Sequence, residues 1–475
     1  MPMTPPRFRS LPRRAFLSQS ASIASGLAVA GPLQALLAAS GQSGVRASEA
    51  GSRGRGDVVG YGPLEPTIDG TTGLPLMLLP KGFRYVTFGW MGDEMSDGRR
   101  TPEAHDGMAA FAAGPDRVRL VRNHEVAHIS TGAFAHRTAY DPMASGGTTT
   151  LEFDTKAGQL VRSWASLSGT AVNCAGGPTP WGTWLSCEET VVGPADGSPF
   201  TKPHGYIFEV PPDGLVRPAT PIKAMGRFVH EAIAVDPATG IVYETEDRPM
   251  SGLYRFLPRR RGRLSAGGSL QMMVVKGSPK ADLRKGQSVG RRYDVEWAEI
   301  KDPELKGSVS GPADEHGVYQ QGVDVGGATF ARLEGAWHGH DRIYIVSTTG
   351  GDAKKGQVWE LDPANNAFEL IFESPAAEVL NMPDNVCVSP RGGLVLCEDG
   401  EGVMRLHGLT ADGQLFEFGR NNVVLNGERN GLKGDFTRYE FAGSTFSPDG
   451  NWLFFNIQRP GITFAVTGPW GNGSI

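Results

Sequence analysis

Residues 173 to 189 read NCAGGPTPWGTWLSCEE: a short apolar run, a turn rich in proline and glycine, a second apolar run and a pair of acids. This is the pattern of two antiparallel strands joined by a tight turn, since proline presets one backbone angle and glycine accepts a positive φ. Five other stretches share it: DGMAAFAAGPDRVRLVRNHE from 106, HEAIAVDPATGIVYETED from 230, LEGAWHGHDRIYIVSTTG from 333, PDNVCVSPRGGLVLCED from 383 and FAGSTFSPDGNWLFFNIQ from 441. Strand pairs between them, such as GGTTTLEFDTKAGQLVRSWA and GQVWELDPANNAFELIFE, suit the outer half of a four-stranded blade. The expected fold is therefore all-β, a six-bladed β-propeller, the alternative being ordinary hairpins of a sandwich or of two barrels. The wide gap between the third and fourth units places an insertion at about 258–330, within a single domain spanning 51–475.

The 65 glycines and 34 prolines are spread along the chain, as expected for many turns between short strands. Residues 1–50 differ: RFRSLPRR is basic, and the apolar, small-residue stretch after it ends in alanines suited to cleavage. Arg13-Arg14 before Ala15, Phe16 and Leu17 resembles a twin-arginine signal, so the export machinery of that route is an expected partner and the location periplasmic or extracellular. The whole chain carries a net charge of −5, and the first 50 residues are basic, so the remainder is strongly acidic. A nucleic-acid partner is excluded on that ground, because no basic stripe runs along the chain. No other apolar run approaches the roughly 20 residues that span a bilayer, so no stable membrane insertion is expected. A monomer is expected.

In an antiparallel hairpin the first residue of strand one lies beside the last residue of strand two, so the starts and ends of all six units share one mouth. At the starts stand Asp106, Asn173-Cys174, Glu231, Glu334 and Asp384-Asn385; at the ends, Asn123-His124-Glu125, Glu188-Glu189, Glu246-Asp247 and Glu398-Asp399. Carboxylates gathered in this number raise one another's pKa unless cations lie among them. Oxygen ligands suit calcium, and one thiolate among them suits a softer metal such as iron. Neighbouring strand residues face opposite ways, so one of Glu188 and Glu189 points at the metals; Glu189 is the choice.

The motifs NHE at 123, NCAGGPTPWGTWLSCEE at 173, GRFVHE at 226, YETED at 243, ARLEG at 331, MPDN at 382, CEDG at 397 and FSPDG followed by NIQRPG resemble the PhoX family of bacterial alkaline phosphatases. The resemblance implies a six-bladed propeller, twin-arginine export, and an iron and calcium cluster that hydrolyses small phosphate monoesters. It implies Cys174 as the thiolate on iron, with Glu189, Glu246 and Glu334 as acidic ligands near the iron pair. Asn123, Glu125, Asp384, Glu398 and Asp399 match calcium or outer ligands, and Arg332 matches the arginine that holds the substrate phosphate. His124 is open between ligand and core residue. Cys187, Cys387 and Cys397 are open between buried thiols and one disulfide. The chain is shorter and sparser in insertions than fuller family members, so its substrate-covering loops are expected to differ. Two other readings stand beside the phosphatase: a calcium-dependent lactonase, and a non-catalytic calcium-stabilised propeller. The lactonase leaves Cys174 and the segment GGPTPWGTWLSCEE without a role, and the non-catalytic propeller keeps the acids and drops the chemistry.

Overall fold

The structure is a computed structural model that describes residues 59–127, 132–215, 217–473 and 475; the expected signal segment, 1–50, lies outside them. The described residues form an all-β, propeller-like fold with one short α-helix, Val318–Asp324. All six sequence units are hairpins: His105–Ala112 with Arg117–His124, Asn173–Pro178 with Trp184–Glu188, His230–Val235 with Val242–Glu246, Leu333–Gly339 with Arg342–Ser347, Pro383–Val388 with Leu394–Glu398, and Phe441–Phe446 with Leu453–Ile457. Their turns close as the residues dictate. In DPATG the Asp236 carboxylate accepts the Ala238 N–H at 2.9 Å, and Gly240 takes a φ of 76°.

The first strands of the hairpins pack side by side in chain order, and the sixth returns to the first. Side chains stitch this ring: Asn123 donates to the Cys174 and Ala175 carbonyls at 3.1 and 2.7 Å, Thr245 to that of Glu334 at 2.6 Å, Thr348 to that of Pro383 at 2.7 Å, and Asn456 to that of Asp106 at 2.7 Å. The chain's beginning helps to close it, because Arg84–Phe88 pairs with Ile462–Thr467 beyond the sixth hairpin. The strands Leu64–Thr67 and Met77–Pro80 extend the sheet of the fifth.

Within 258–330, the strand Gly268–Val275 completes four strands behind the third hairpin, and Arg292–Glu299 bridges it to Ala367–Glu373 behind the fourth. One nine-stranded sheet results. Its interior packs Trp359 on Phe368, with ring centroids 4.8 Å apart and planes 8° from parallel.

Each hairpin carries one bulge near the start of its first strand, one residue later in the sixth than in the other five. Two residues of the first strand oppose one of the second: 106 and 107, 174 and 175, 231 and 232, 334 and 335, 384 and 385, 443 and 444. Small residues next to the bulges let neighbouring first strands approach closely, and a Cβ on Gly177 would stand 1.9 Å from the Ile233 carbonyl oxygen. Gly177→Ala is accordingly expected to destabilise the protein by about 2–3 kcal/mol, the upper range for overpacking. Gly471, with no atom within 4 Å of its added Cβ, should accept alanine within about 0.5 kcal/mol. Denaturant midpoints of the two variants check this.

Candidate metal centre

In the first five hairpins the first bulge residue faces the ring's interior, and in four of them the residue just past the second strand joins it. In the first hairpin these are Asp106 and Glu125, in the second Cys174 and Glu189, in the third Glu231 and Asp247, and in the fifth Asp384 and Asp399. The fourth contributes Glu334, and Glu440 stands just before the sixth. Their ligand atoms fall into four groups, each within 4.8 Å: Asp106, Glu125 and Cys174; Cys174, Glu189 and Glu231; Glu231, Asp247 and Glu334; Asp384, Asp399 and Glu440. Cys174 and Glu231 are shared, so the first three groups form one continuous arc.

Backbone geometry sets this mouth. The N–H of Glu125 donates to Ala104 O at 2.9 Å, that of Glu189 to Val172 O at 2.8 Å, that of Asp247 to Val229 O at 3.2 Å, that of Thr348 to Arg332 O at 2.9 Å and that of Asp399 to Met382 O at 2.9 Å. Four of these acceptor residues hold left-handed backbone, with φ of 51° at Ala104 and Val172, 50° at Arg332 and 59° at Met382. Such conformations in residues other than glycine persist only where the surroundings fix them.

Burial pushes the Asp106 carboxyl well up, and Glu125, Asp384 and Glu231 add repulsion. Burial likewise raises the Cys174 thiol, followed by the carboxylates of Asp106, Glu231, Glu189 and Glu125, and its S–H donates to Glu231 Oε1 at 2.9 Å. Arg332 reaches the arc's end: Nε and Nη2 donate to the two Asp247 oxygens at 2.8 and 3.1 Å, and Nη2 also pairs with Glu334. A donor set of buried carboxylates with one thiol fits cations, because a bound positive charge removes the repulsion that raises these groups.

The preceding residue of each second strand faces the other way, into the blades. Glu188 accepts the N–H groups of Ala171, Gly205 and Tyr206 at 2.9, 2.8 and 3.1 Å and lies 2.6 Å from His204 Nδ1. Glu246, expected as a ligand, accepts from Gly252 N and Tyr254 Oη at 3.0 and 2.8 Å, and burial, then Asp314, pushes its carboxyl up to about 8. Glu398, also expected, is taken by Asn381 N, Arg405 and His407; burial opposes its ionisation, yet His407 and Arg405 hold it below the usual carboxylate range. Asn123 spends its amide on the Cys174 bulge and its carbonyl on Trp184 Nε1 and Ser186 Oγ, both at 2.9 Å. Glu246 and Glu398 stand outside the four groups, and Asn123, expected as a calcium or outer ligand, touches them through the backbone of Cys174. Cys174, Glu189, Glu334, Glu125, Asp384 and Asp399 stand inside them, joined by Asp106, Glu231, Asp247 and Glu440. The parity that selected Glu189 over Glu188 would also have selected Asp247 over Glu246. His124 bonds Glu103 O and Thr149 Oγ1, both at 2.9 Å, as a core residue. All four cysteines are buried and free.

The sequence matches the family described as alkaline phosphatase PhoX over residues 59–461. The chain belongs to the PhoX family. It is thus a phosphoric monoester hydrolase whose substrates are small phosphate compounds. Among solved structures, Pseudomonas fluorescens PhoX in complex with vanadate, a transition state analogue, aligns with 87% of this chain and 99% of its own, at 18% identity and a TM-score of 0.59. A gluconolactonase from Xanthomonas campestris, XC5397, aligns with 87% of this chain and 99% of its own, at 13% identity and a TM-score of 0.40. No curated protein matches the sequence.

The His204 ring lies between Glu188 and Asp141, its Nε2 3.6 Å from Asp141 Oδ2. Burial alone would lower its pKa, but the two carboxylates outweigh burial and raise it. A raised folded-state pKa contributes stability that is fully present below the unfolded value of about 6.5 and is lost as pH rises through the folded value. The stability gap between the wild type and His204→Gln should therefore be larger at pH 6 than at pH 9. Denaturant unfolding of both proteins at the two pH values measures it, and an equal gap would contradict the assignment.

Proposed function

We propose that this phosphatase is an exported enzyme that hydrolyses phosphate monoesters at an iron and calcium cluster in the mouth of a six-bladed propeller. The observation that carries the reading is the continuous arc Asp106, Glu125, Cys174, Glu189, Glu231, Asp247 and Glu334, which ends on Arg332. The single sulfur in the arc favours iron there, and the all-oxygen group Asp384, Asp399 and Glu440 favours calcium. When bound, such metals polarise phosphoryl oxygens as Lewis acids.

Arg332 orients the phosphate. Asp247 and Glu334 take the Nε and Nη2 donors and so fix the guanidinium at the arc's end, where its permanent, delocalised charge faces the phosphate. Its charge offsets the negative charge that develops on those oxygens in the transition state. Asn123 keeps the Cys174 and Ala175 carbonyls in place and so fixes the direction of the Cys174 side chain. The burial of Asp106, Cys174, Glu231 and Glu334, each 2% exposed or less, keeps bulk water from competing for these ligands. The Arg13-Arg14 signal supports export by the twin-arginine route, and hence a periplasmic or extracellular location. No helix of the described residues is long and apolar enough to cross a membrane.

Asp247→Asn and Glu246→Gln, neighbours of opposite parity, test the reading as a pair. Asp247→Asn is expected to lose bound metal and at least about a hundredfold in phosphatase rate, since it removes a ligand and loosens Arg332. Glu246→Gln should retain both metal and rate within about threefold, because glutamine still accepts from Gly252 and Tyr254. Elemental content and turnover of the two proteins decide it; equal effects would sink the arc.

A further inference from the structure

Phosphate binding by the arc and Arg332 leaves one buried arginine beside them without a part. Arg248 follows Asp247 directly, is 6% exposed, and accepts the Arg332 N–H on its carbonyl at 2.8 Å. Its guanidinium reaches a loop, donating from Nη2 to Ser308 O at 2.7 Å and from Nη1 to Gly311 O at 3.2 Å. Two residues on, the Met250 N–H donates to Pro312 O at 2.7 Å. The third hairpin thus holds the loop 307–317, GSVSGPADEHG, at three backbone carbonyls.

The loop is closed upon itself. Asp314 Oδ1 accepts the N–H groups of Ser308 and Gly317 at 2.9 and 3.1 Å, and Ser308 Oγ donates to Ala313 O at 2.9 Å. A Cβ on Gly307 would lie 1.3 Å from Asp314 Oδ1, so only glycine lets the backbone wrap this carboxylate. The approach to the loop is fixed as well, by Arg227 N–H on Pro303 O at 2.8 Å, by Lys223 on Glu304 at 3.0 Å, and by the ion pair of Lys306 with Asp196. It is therefore anchored to the segments that flank the second and third hairpins, beside Asp247 and the backbone of Arg332. Val309, 40% exposed, and the exposed Ser310 and Pro312 face solvent there.

Burying a guanidinium is costly unless its bonds matter, and Arg248 spends its bonds on setting where this loop stands. We propose that Arg248 is a positioning residue and that the loop 307–317 is the wall of the substrate site that meets the leaving group, the part of the monoester beyond its phosphate. The inference rests on the phosphatase reading. Val309 and Pro312 offer apolar contact, whereas the exposed Glu315 opposes a second anionic group, so the loop favours aryl and alkyl monoesters.

Inorganic phosphate has no leaving group, and this separates the loop from the phosphate-binding machinery. The wild type, Arg248→Ala and Val309→Asp are compared for KM toward p-nitrophenyl phosphate, Ki for inorganic phosphate, metal content and melting temperature. Both variants should raise KM about fivefold to fiftyfold while Ki stays within about twofold and metal content is retained. KM and Ki rising together, or KM unchanged, would overturn the inference. Should Arg248→Ala fail to fold, Val309→Asp, altered at an exposed side chain, decides alone. A wild type that binds metal but leaves the ester intact would instead refute the phosphatase reading and take this inference with it.

Discussion

Five buried ligands are aimed by one backbone device, the bulge near the start of each first strand, and everything at the mouth depends on it. Asp106, Cys174, Glu231, Glu334 and Asp384 each stand at the first bulge position of their hairpin. Left to side-chain electrostatics they would separate, because buried like charges repel and each raises its neighbour's pKa. Main-chain bonds across the mouth and side-chain bonds between successive first strands hold them instead, so the arrangement persists through the rigidity of the ring.

Strand parity then divides the acids between two jobs. The last residue of the second strand turns into the blade and accepts from backbone N–H groups, tyrosine, arginine or histidine, as at Glu188, Glu246 and Glu398. The next residue turns to the interior, as at Glu125, Glu189, Asp247 and Asp399. Sequence carries half of this division. Turn residues and apolar runs located all six hairpins, and alternation resolved Glu188 from Glu189. Glu246 entered the expected ligand set through the family resemblance, whereas alternation applied to the same pair points to Asp247. Asn123 reads as a ligand by its place beside His124 and Glu125, yet its bonds to the next hairpin exist only once the ring is closed. Glu440 accepts the Gln458 N–H on its carbonyl at 3.1 Å and so stands where Ala104, Val172, Val229, Arg332 and Met382 stand in the other units, the one acid at that position.

The segment between the third and fourth hairpins was legible as an interruption of the repeat, and its contents were not. Arg292–Glu299 joins two sheets by long-range pairing that leaves no periodic trace, and the loop 307–317 takes its shape from one carboxylate, Asp314, and two closely packed glycines.

The central claim is that the arc exists to hold metal for phosphate ester hydrolysis. Elemental analysis of the protein purified after export, made alongside its phosphatase rate before and after exhaustive chelation, tests this most directly. The account predicts iron together with calcium in the purified protein, and loss of turnover as they are withdrawn. Full turnover from protein that contains neither metal would contradict it.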